Sequence, residues 1–309
     1  MILHGMAFVK YISTIKQIID IMRKEKVKSL RRGRMKTGKA LLDEIREYKG
    51  GYGECAFWWL GQLGYILKAN NTIVAIDPYL NPQGSRLIPP PLAPEDLAIA
   101  DYVLGTHNHG DHIDHYTYSL LAKASEDVKF VIPELSVEAV SQKLNIPRER
   151  FIGMTERTII TDNKKDLTIT GIASAHEFLD RDEATGYYPY LGYIVEVNGV
   201  SFYHSGDTCR YDGLESKLKE YDRFNIMFVP INGRSGKKYR SGTIGNMNFA
   251  EAVDLCGMLN PILAVPGHYE MFDNNSADPM EFIDFMEAKY PLQQVWIGGH
   301  GVKVEHKNI

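Results

Sequence analysis

The sequence feature that most constrains the fold is a run of metal-binding side chains, Thr106-His-Asn-His-Gly-Asp-His112. Three histidines and one aspartate fall within six residues, and the short apolar segment 101–105 precedes them. Neutral imidazole binds zinc, iron and nickel, and carboxylate adds a hard oxygen ligand. Because α/β sheets place their active sites beyond the carboxyl ends of strands, the run predicts a metal site at a sheet edge. A polar loop that is rich in histidine by chance is the alternative.

Segments typical of strands and helices alternate from residue 55 to the end of the chain. The predicted strands are 56–60, 65–69, 72–76, 101–105, 128–132, 158–161, 167–173, 191–197, 200–204, 226–230, 262–265, 294–297 and 302–305. The predicted helices are 116–124, 136–144, 213–221, 248–259 and 279–289. Alternation of this kind is typical of a layered α/β domain.

Residues 1–50 differ in character from the rest, and we predict that they form an N-terminal helical extension to a hydrolase domain spanning 51–309. Apolar residues between Tyr11 and Met22 have helical spacing, and 40–48 reads as a second helix. A basic run from Arg23 to Lys39 lies between them. A solvated helical face is the simplest interpretation of this run, and contact with nucleic acid or another anionic surface is the alternative.

The composition is that of an ordinary globular protein, with a formal net charge of -4. This charge argues against nucleic-acid binding over the whole surface, so we expect no nucleic-acid partner. The three cysteines form no Cys-x-x-Cys pair, which favours a reducing compartment. No apolar run reaches the roughly 20 residues that span a bilayer, and the N-terminus lacks the features of a signal peptide. We therefore expect a cytoplasmic protein without a transmembrane segment. The oligomeric state is left open, and a homo-oligomer is one alternative.

The histidine run resembles the signature of the metallo-β-lactamase superfamily, and three further motifs follow in the matching order. They are Ile172-Ala-Ser-Ala-His176, His204-Ser-Gly-Asp207-Thr208 and Ala264-Val-Pro-Gly-His268. The resemblance covers residues 55–305 and implies a four-layer αββα sandwich. It also implies an enzyme, a metal-dependent hydrolase.

The resemblance implies two divalent metal ions, with zinc as the first choice and manganese or iron as alternatives. The first would be held by His107, His109 and His176, the second by Asp111, His112 and His268, and Asp207 would bridge both. A bound cation lowers the pKa of water to about 7, which supplies hydroxide at neutral pH. The metal-bound hydroxide would attack a carbonyl or phosphoryl centre, with Asp111 as the catalytic residue that orients it and accepts its proton.

Two polar residues next to the predicted ligands could support them. His204 lies on the strand that leads to Asp207, and Asp114 lies just beyond the histidine run. Each could hydrogen-bond a ligand side chain and fix its orientation. A core histidine with satisfied hydrogen bonds is the alternative for His204.

A basic loop in the second half of the chain could contact substrate. It contains Arg234, Lys237 and Arg240, and Tyr269 follows the last predicted ligand. Arginine and lysine suit an anionic or phosphorylated substrate. A solvated loop without a role in binding is an equally good interpretation.

Within the superfamily, Trp58-Trp-Leu-Gly61, the turn before Asp207 and Ala277-Asp-Pro279 resemble the L-ascorbate-6-phosphate lactonase group. The motif pattern is also similar to the phospholipase D that hydrolyses N-acyl-phosphatidylethanolamine. We therefore expect hydrolysis of a lactone or ester of a small anionic substrate, with or without a phosphate group. A phosphodiesterase that acts on phospholipid or nucleic acid is the alternative, and a non-hydrolytic di-iron or metal-dependent binding protein is a third hypothesis.

Overall fold

The computed structural model describes residues 34–308, which contain two seven-stranded β-sheets. The first sheet contains β1 (Glu54–Gly61), β2 (Gly64–Ala69), β3 (Thr72–Ile76), β4 (Tyr102–Leu104), β5 (Lys129–Pro133), β6 (Phe151–Met154) and β14 (Lys303–Lys307). The second contains β7 (Ile159–Asp162), β8 (Leu167–Ala173), β9 (Leu191–Val197), β10 (Val200–His204), β11 (Ile226–Pro230), β12 (Leu263–Gly267) and β13 (Gln294–Val295).

The strand order is β14-β1-β2-β3-β4-β5-β6 in the first sheet and β13-β12-β11-β10-β9-β8-β7 in the second. Each sheet combines antiparallel hairpins with a set of parallel strands. Strands β3 to β6 run parallel in the first sheet, and β10 to β13 run parallel in the second. Parallel strands point their carboxyl ends to the same edge, so the segments that follow them can meet there.

Helices cover the outer face of each sheet. The first sheet is covered by α1 (Gly38–Glu47), α2 (His115–Ala124) and α3 (Glu134–Leu144). The other helices are α4 (Leu214–Leu218), α5 (Gly236–Arg240), α6 (Phe249–Leu259) and α7 (Pro279–Lys289). Of these, α4, α6 and α7 contribute buried side chains to the core on the second sheet, whereas α5 buries none.

The sequence of β1 shows why the two sheets lie in the middle of the layers. Phe57 and Trp59 belong to the core shared with the second sheet, whereas Trp58 and Leu60 belong to the cluster beneath α1–α3. Successive strand residues point to opposite faces, so an uninterrupted apolar strand requires cover on both sides. The predicted four-layer αββα sandwich is confirmed.

The helix α1 lies within the predicted N-terminal extension but packs against the first sheet. Leu41 and Ile45 are fully buried in the same cluster as Trp58. The ammonium group of Lys68 in β2 donates to the carbonyl oxygens of Ile45 and Arg46, at 2.8 and 2.7 Å. The helix predicted between residues 11 and 22 and most of the basic run lie outside the described residues, so a domain boundary at residue 50 stays a prediction.

Between residues 34 and 308, none of the helices combines the length and the apolar character needed to cross a lipid bilayer.

Candidate metal centre

The segments that follow four strands bring the predicted ligands together at one edge of the sheets. The run from His107 to His112 follows β4, His176 follows β8, Asp207 follows β10 and His268 follows β12. Three overlapping groups of these side chains have their ligand atoms within 4.8 Å of one another: His107, His109 and His176; His107, His112 and Asp207; and Asp111, His112 and His268. Since the groups share members, the seven side chains form one continuous cluster that could hold metal ions.

The first group consists of three imidazoles whose nitrogens face one another. Nδ1 of His109 lies 3.0 Å from Nε2 of His107 and 3.2 Å from Nε2 of His176. Burial lowers the pKa of all three, to about 4 for His176. The rings are therefore neutral at physiological pH, and neutral imidazole is the form that binds a metal ion.

The rest of the cluster combines the carboxylates of Asp111 and Asp207 with the imidazoles of His112 and His268. Oδ2 of Asp207 lies 3.4 Å from Nε2 of His112 and 3.3 Å from Nε2 of His268. Oδ2 of Asp111 lies 3.8 and 3.7 Å from the same two nitrogens. Oδ1 of Asp207 is buried without a hydrogen-bond partner. Such an oxygen costs free energy unless something satisfies it, so the donor set fits a hard cation in this place.

The carboxylates and imidazoles around Asp207 and His112 shift one another's pKa values. Burial opposes ionisation of Asp207, but the imidazoles of His268 and His112 hold its pKa well below the usual value. Burial likewise opposes protonation of His112, yet the carboxylates of Asp207 and Asp77 raise its pKa well above the usual value. Two buried carboxylates therefore require compensating positive charge, which an imidazolium or a divalent cation supplies.

Asp77, which sequence analysis missed, orients two of the histidines. Its Oδ2 accepts a hydrogen bond from Nδ1 of His112 at 2.7 Å and from the hydroxyl of Thr106 at 2.8 Å. That hydroxyl also lies 3.0 Å from Nδ1 of His107. These contacts turn Nε2 of each ring towards the cluster, as carboxylates behind metal-binding histidines do. The one feature of the sequence that could have indicated Asp77 is its position directly after β3, the parallel neighbour of β4.

Gln62, in the turn between β1 and β2, is a second residue that sequence analysis missed. Its side chain is fully buried. Nε2 donates to Oδ2 of Asp111 at 3.0 Å and lies 3.3 Å from Nδ1 of His268. Its carbonyl oxygen accepts the backbone N–H of His268 at 2.8 Å. Gln62 therefore links Asp111 to His268, which lies 206 residues after Gln62 in the chain.

The structure does not give Asp114 the orienting role expected of it. Its carboxylate caps α2 by accepting the backbone N–H of Tyr116 and also accepts the Thr117 hydroxyl and the Asn81 backbone N–H. Because all of these partners are local to the helix start and its neighbouring loop, the carboxylate that orients a ligand histidine is Asp77 instead.

The ring of His204 bonds to backbone groups rather than to a ligand side chain. Nε2 lies 2.7 Å from the carbonyl oxygen of Leu63, and Nδ1 accepts the N–H of Gly206 at 3.2 Å. Gly206 has a φ of 60° and immediately precedes Asp207. His204 thus fixes the turn that presents Asp207. The expectation that its ring hydrogen-bonds a ligand side chain was wrong.

A cleft of about 530 Å³ opens beside Asp111. Its lining includes Tyr79, Asn81, Asp111, Asp114, His115, Tyr116, Thr243, Phe272, Asn274 and Asn275. These residues come from the loop after β3, the start of α2, the loop after α5 and the segment after His268. Apart from Asp111 and Asp114, no sequence pattern marked these residues, because several distant segments contribute one or two residues each.

The four residues predicted to bind substrate do not line this cleft, so their role in binding stays a prediction. The guanidinium of Arg234 donates to the carboxylate of Glu251 at 2.6 Å. Lys237 and Arg240 are exposed on α5. Tyr269 is fully buried, with its ring centroid 4.7 Å from that of Trp59.

Comparison with known proteins agrees with this geometry. The family model described as Beta-lactamase superfamily domain matches residues 72–269. A metal-dependent hydrolase of Archaeoglobus fulgidus is 29% identical over 237 residues, which cover 75% of this chain and 90% of that protein. A protein of Escherichia coli named probable L-ascorbate-6-phosphate lactonase is 27% identical over 291 residues, covering 82% of this chain and 80% of its own.

Among solved structures, that of Igni18, a metallo hydrolase from Ignicoccus hospitalis, matches with a TM-score of 0.64 and 21% identity. The match covers 83% of this chain and 100% of that one, and it supports the fold. The resemblance inferred from the four motifs is confirmed. The chain belongs to the β-lactamase superfamily and is a metal-dependent hydrolase.

Proposed function

We propose that this hydrolase opens a lactone or ester bond of a small molecule with the help of two divalent cations. The observation that carries the proposal is the set of three ligand groups joined through shared side chains, one member of which, Asp111, lines the cleft. The name of the Escherichia coli relative supports a lactone as the bond that is hydrolysed.

Each side chain has a proposed role in holding the cations. His107, His109 and His176 would hold one, Asp111, His112 and His268 would hold the other, and Asp207 would be shared by both. The ligand set of nitrogen and carboxylate oxygen suits zinc, with manganese or iron as alternatives. Divalent cations at such a site lower the pKa of water and polarise the carbonyl group of a substrate.

Asp111 is the proposed catalytic residue because it belongs to the group with His112 and His268 and also lines the cleft. The imidazoles of His112 and His268 lower its pKa although burial opposes this, so the carboxylate is ionised at neutral pH. Its Oδ2 is held by Gln62. Asp111 can therefore orient the attacking water and accept its proton as the new C–O bond forms. The ring C–O bond then breaks, and the leaving alkoxide takes up the proton.

The two other hypotheses have less support. The phosphodiesterase hypothesis depended on the basic run, most of which lies outside the described residues. The non-hydrolytic hypothesis is at odds with relatives named as metal-dependent hydrolases. Lactone or ester hydrolysis is therefore the reaction to test first.

The test is a hydrolase screen with lactones, phosphodiesters and thioesters, using protein reconstituted with zinc, manganese or iron. We expect lactones to be hydrolysed fastest, and His109→Ala and Asp207→Ala to lower the metal content and reduce turnover to background. Asp127→Ala, an exposed aspartate away from the cluster, is the control and should match the wild type. Unchanged metal content and turnover in both ligand variants would refute the proposed centre, and phosphodiesters as the best substrates would refute the reaction.

A further inference from the structure

The cleft beside Asp111 has an aromatic wall. The rings of Tyr79 and Phe272 have centroids 6.0 Å apart and an interplanar angle of 46°. Tyr116, with 38% of its surface exposed, lies at the rim. Aromatic faces of this kind bind flat, weakly polar surfaces such as the C–H face of a saturated ring.

Side-chain amides with defined orientations supply hydrogen-bond donors to the cleft. Oδ1 of Asn81 accepts the backbone N–H of Gln83 at 2.9 Å, and Oδ1 of Asn275 accepts from Nδ2 of Asn232 at 2.8 Å. Both oxygens are engaged within the protein, so the N–H groups of these two amides are the atoms left for a ligand. The Thr243 hydroxyl adds a group that can donate or accept.

The charged groups of the cleft lining are carboxylates, and partial burial lowers the pKa of its histidine, His115. Asp111 and Asp114 line it, and no lysine or arginine does among residues 34–308. The guanidinium of Arg86 lies 4.9 Å from the ring centroid of Tyr79, outside the lining. It donates to the carbonyl oxygens of Tyr79, Asn81 and Ile88, so it holds the loop that forms the wall.

From these observations we propose that the cleft binds an uncharged ring with several hydroxyl groups, and that the substrate is a neutral sugar-type lactone rather than a phosphorylated one. The ring face packs on Tyr79 and Phe272, while its hydroxyl oxygens accept from Asn81 and Asn275. A phosphate on this ring would find no lysine or arginine among the lining residues, and the cations beside Asp111 would be taken up by the carbonyl group of the lactone. This inference rests on the proposed function and departs from the anionic substrate expected from sequence.

The closing experiment compares two pairs of probes that differ only in one phosphate. Binding of D-glucono-1,5-lactam and of its 6-phosphate to the zinc-loaded full chain is measured by calorimetry. We expect the neutral lactam to bind at least about tenfold more tightly. A 6-phosphate that binds as tightly or more tightly would overturn the inference, as would failure of the lactam to bind. Hydrolysis of the matching lactones is measured separately, so bound lactam without lactone hydrolysis refutes the proposed reaction and not the cleft.

Two variants test the residues directly. Phe272→Ala should weaken lactam binding by about tenfold, with a thermal melt to show that the protein is folded. Asn274→Lys, at an exposed position of the lining, should tighten binding of the 6-phosphate by about tenfold. Asn163→Lys, on the exposed turn between β7 and β8, is the matched control and should leave both affinities unchanged. An equal gain from both lysine variants would show a general charge effect and overturn the assignment of the cleft.

Discussion

Three non-glycine residues of the metal centre have positive φ angles: Gln62 (50°), Asp77 (45°) and His268 (63°). Such conformations are unfavourable for residues with a Cβ and persist only where the surrounding contacts enforce them. Here the backbone N–H of His268 donates to Gln62, and that of Asp77 donates to Leu104. The backbone therefore holds these side chains in place through contacts within the protein itself.

Removing the charge of Asp77 should weaken metal binding. We expect Asp77→Asn to lower zinc affinity by about 10–100-fold, because the carboxylate that orients His112 and makes it a better ligand is lost. Competition with a chromophoric chelator measures the affinity. Asp127→Asn is the control, and equal affinities for the two variants would contradict the role assigned to Asp77.

Replacing Gln62 should affect one ligand group more than the other. Gln62→Leu removes the donor to Asp111 and the contact with His268 while it keeps a side chain of similar size. At limiting zinc we expect the bound metal to fall from two ions towards one per chain, because Asp111 and His268 belong to the same group. Elemental analysis measures the ratio. Gln142→Leu on the exposed face of α3 serves as the control, and two fully occupied sites in Gln62→Leu would refute this prediction.

At the scale of the elements, strong hydrophobic patterns predicted the structure well and weak ones did not. The hairpin around Asn70-Asn71 and helices α6 and α7 lie where the sequence placed them. The four-residue strand β6 was missed, and the helix predicted over 213–221 is only Leu214–Leu218. The helix α5 has no buried residue and thus no apolar periodicity to detect. Short elements depend on their tertiary partners more than on their own residues.

The helix α1 provides a test of where the catalytic domain begins. Ile45→Ala should lower the free energy of unfolding by about 2–5 kcal/mol, since it leaves a cavity beneath the first sheet. Denaturant unfolding measures this change. The exposed Glu47→Ala in the same helix should change stability by no more than about 0.5 kcal/mol. An equally small effect of Ile45→Ala would show that α1 is dispensable and would favour the domain boundary at residue 50.

At the scale of the whole molecule, the two sheets place seven predicted ligand side chains from four separate segments within one cluster. Without cations this cluster buries carboxylates next to imidazoles, and a cation that binds only the folded state stabilises it by mass action. Zinc at about 1,000 times its dissociation constant should therefore add about 4 kcal/mol to the free energy of unfolding.

A thermal melt with and without added zinc, after removal of metal by a chelator, measures this stabilisation. Asp207→Ala, which lacks the proposed bridging ligand, is the matched comparison, and zinc should raise its melting temperature much less. A melting temperature that zinc leaves unchanged in the wild type would argue against a metal centre formed by the folded chain.

The sequence by itself determined the layered α/β fold and the order of the four motifs, because strand patterns and closely spaced ligands are local properties of the chain. Only the tertiary structure decided the partners of those ligands. Asp77 and Gln62 carry no motif, and their roles arise from where β3 and the β1–β2 turn lie relative to β4 and β12. The same holds for Arg234, whose pairing with Glu251 depends on how a loop packs against α6. Contacts between segments far apart in the chain follow from sheet register and packing, which no short stretch of sequence encodes.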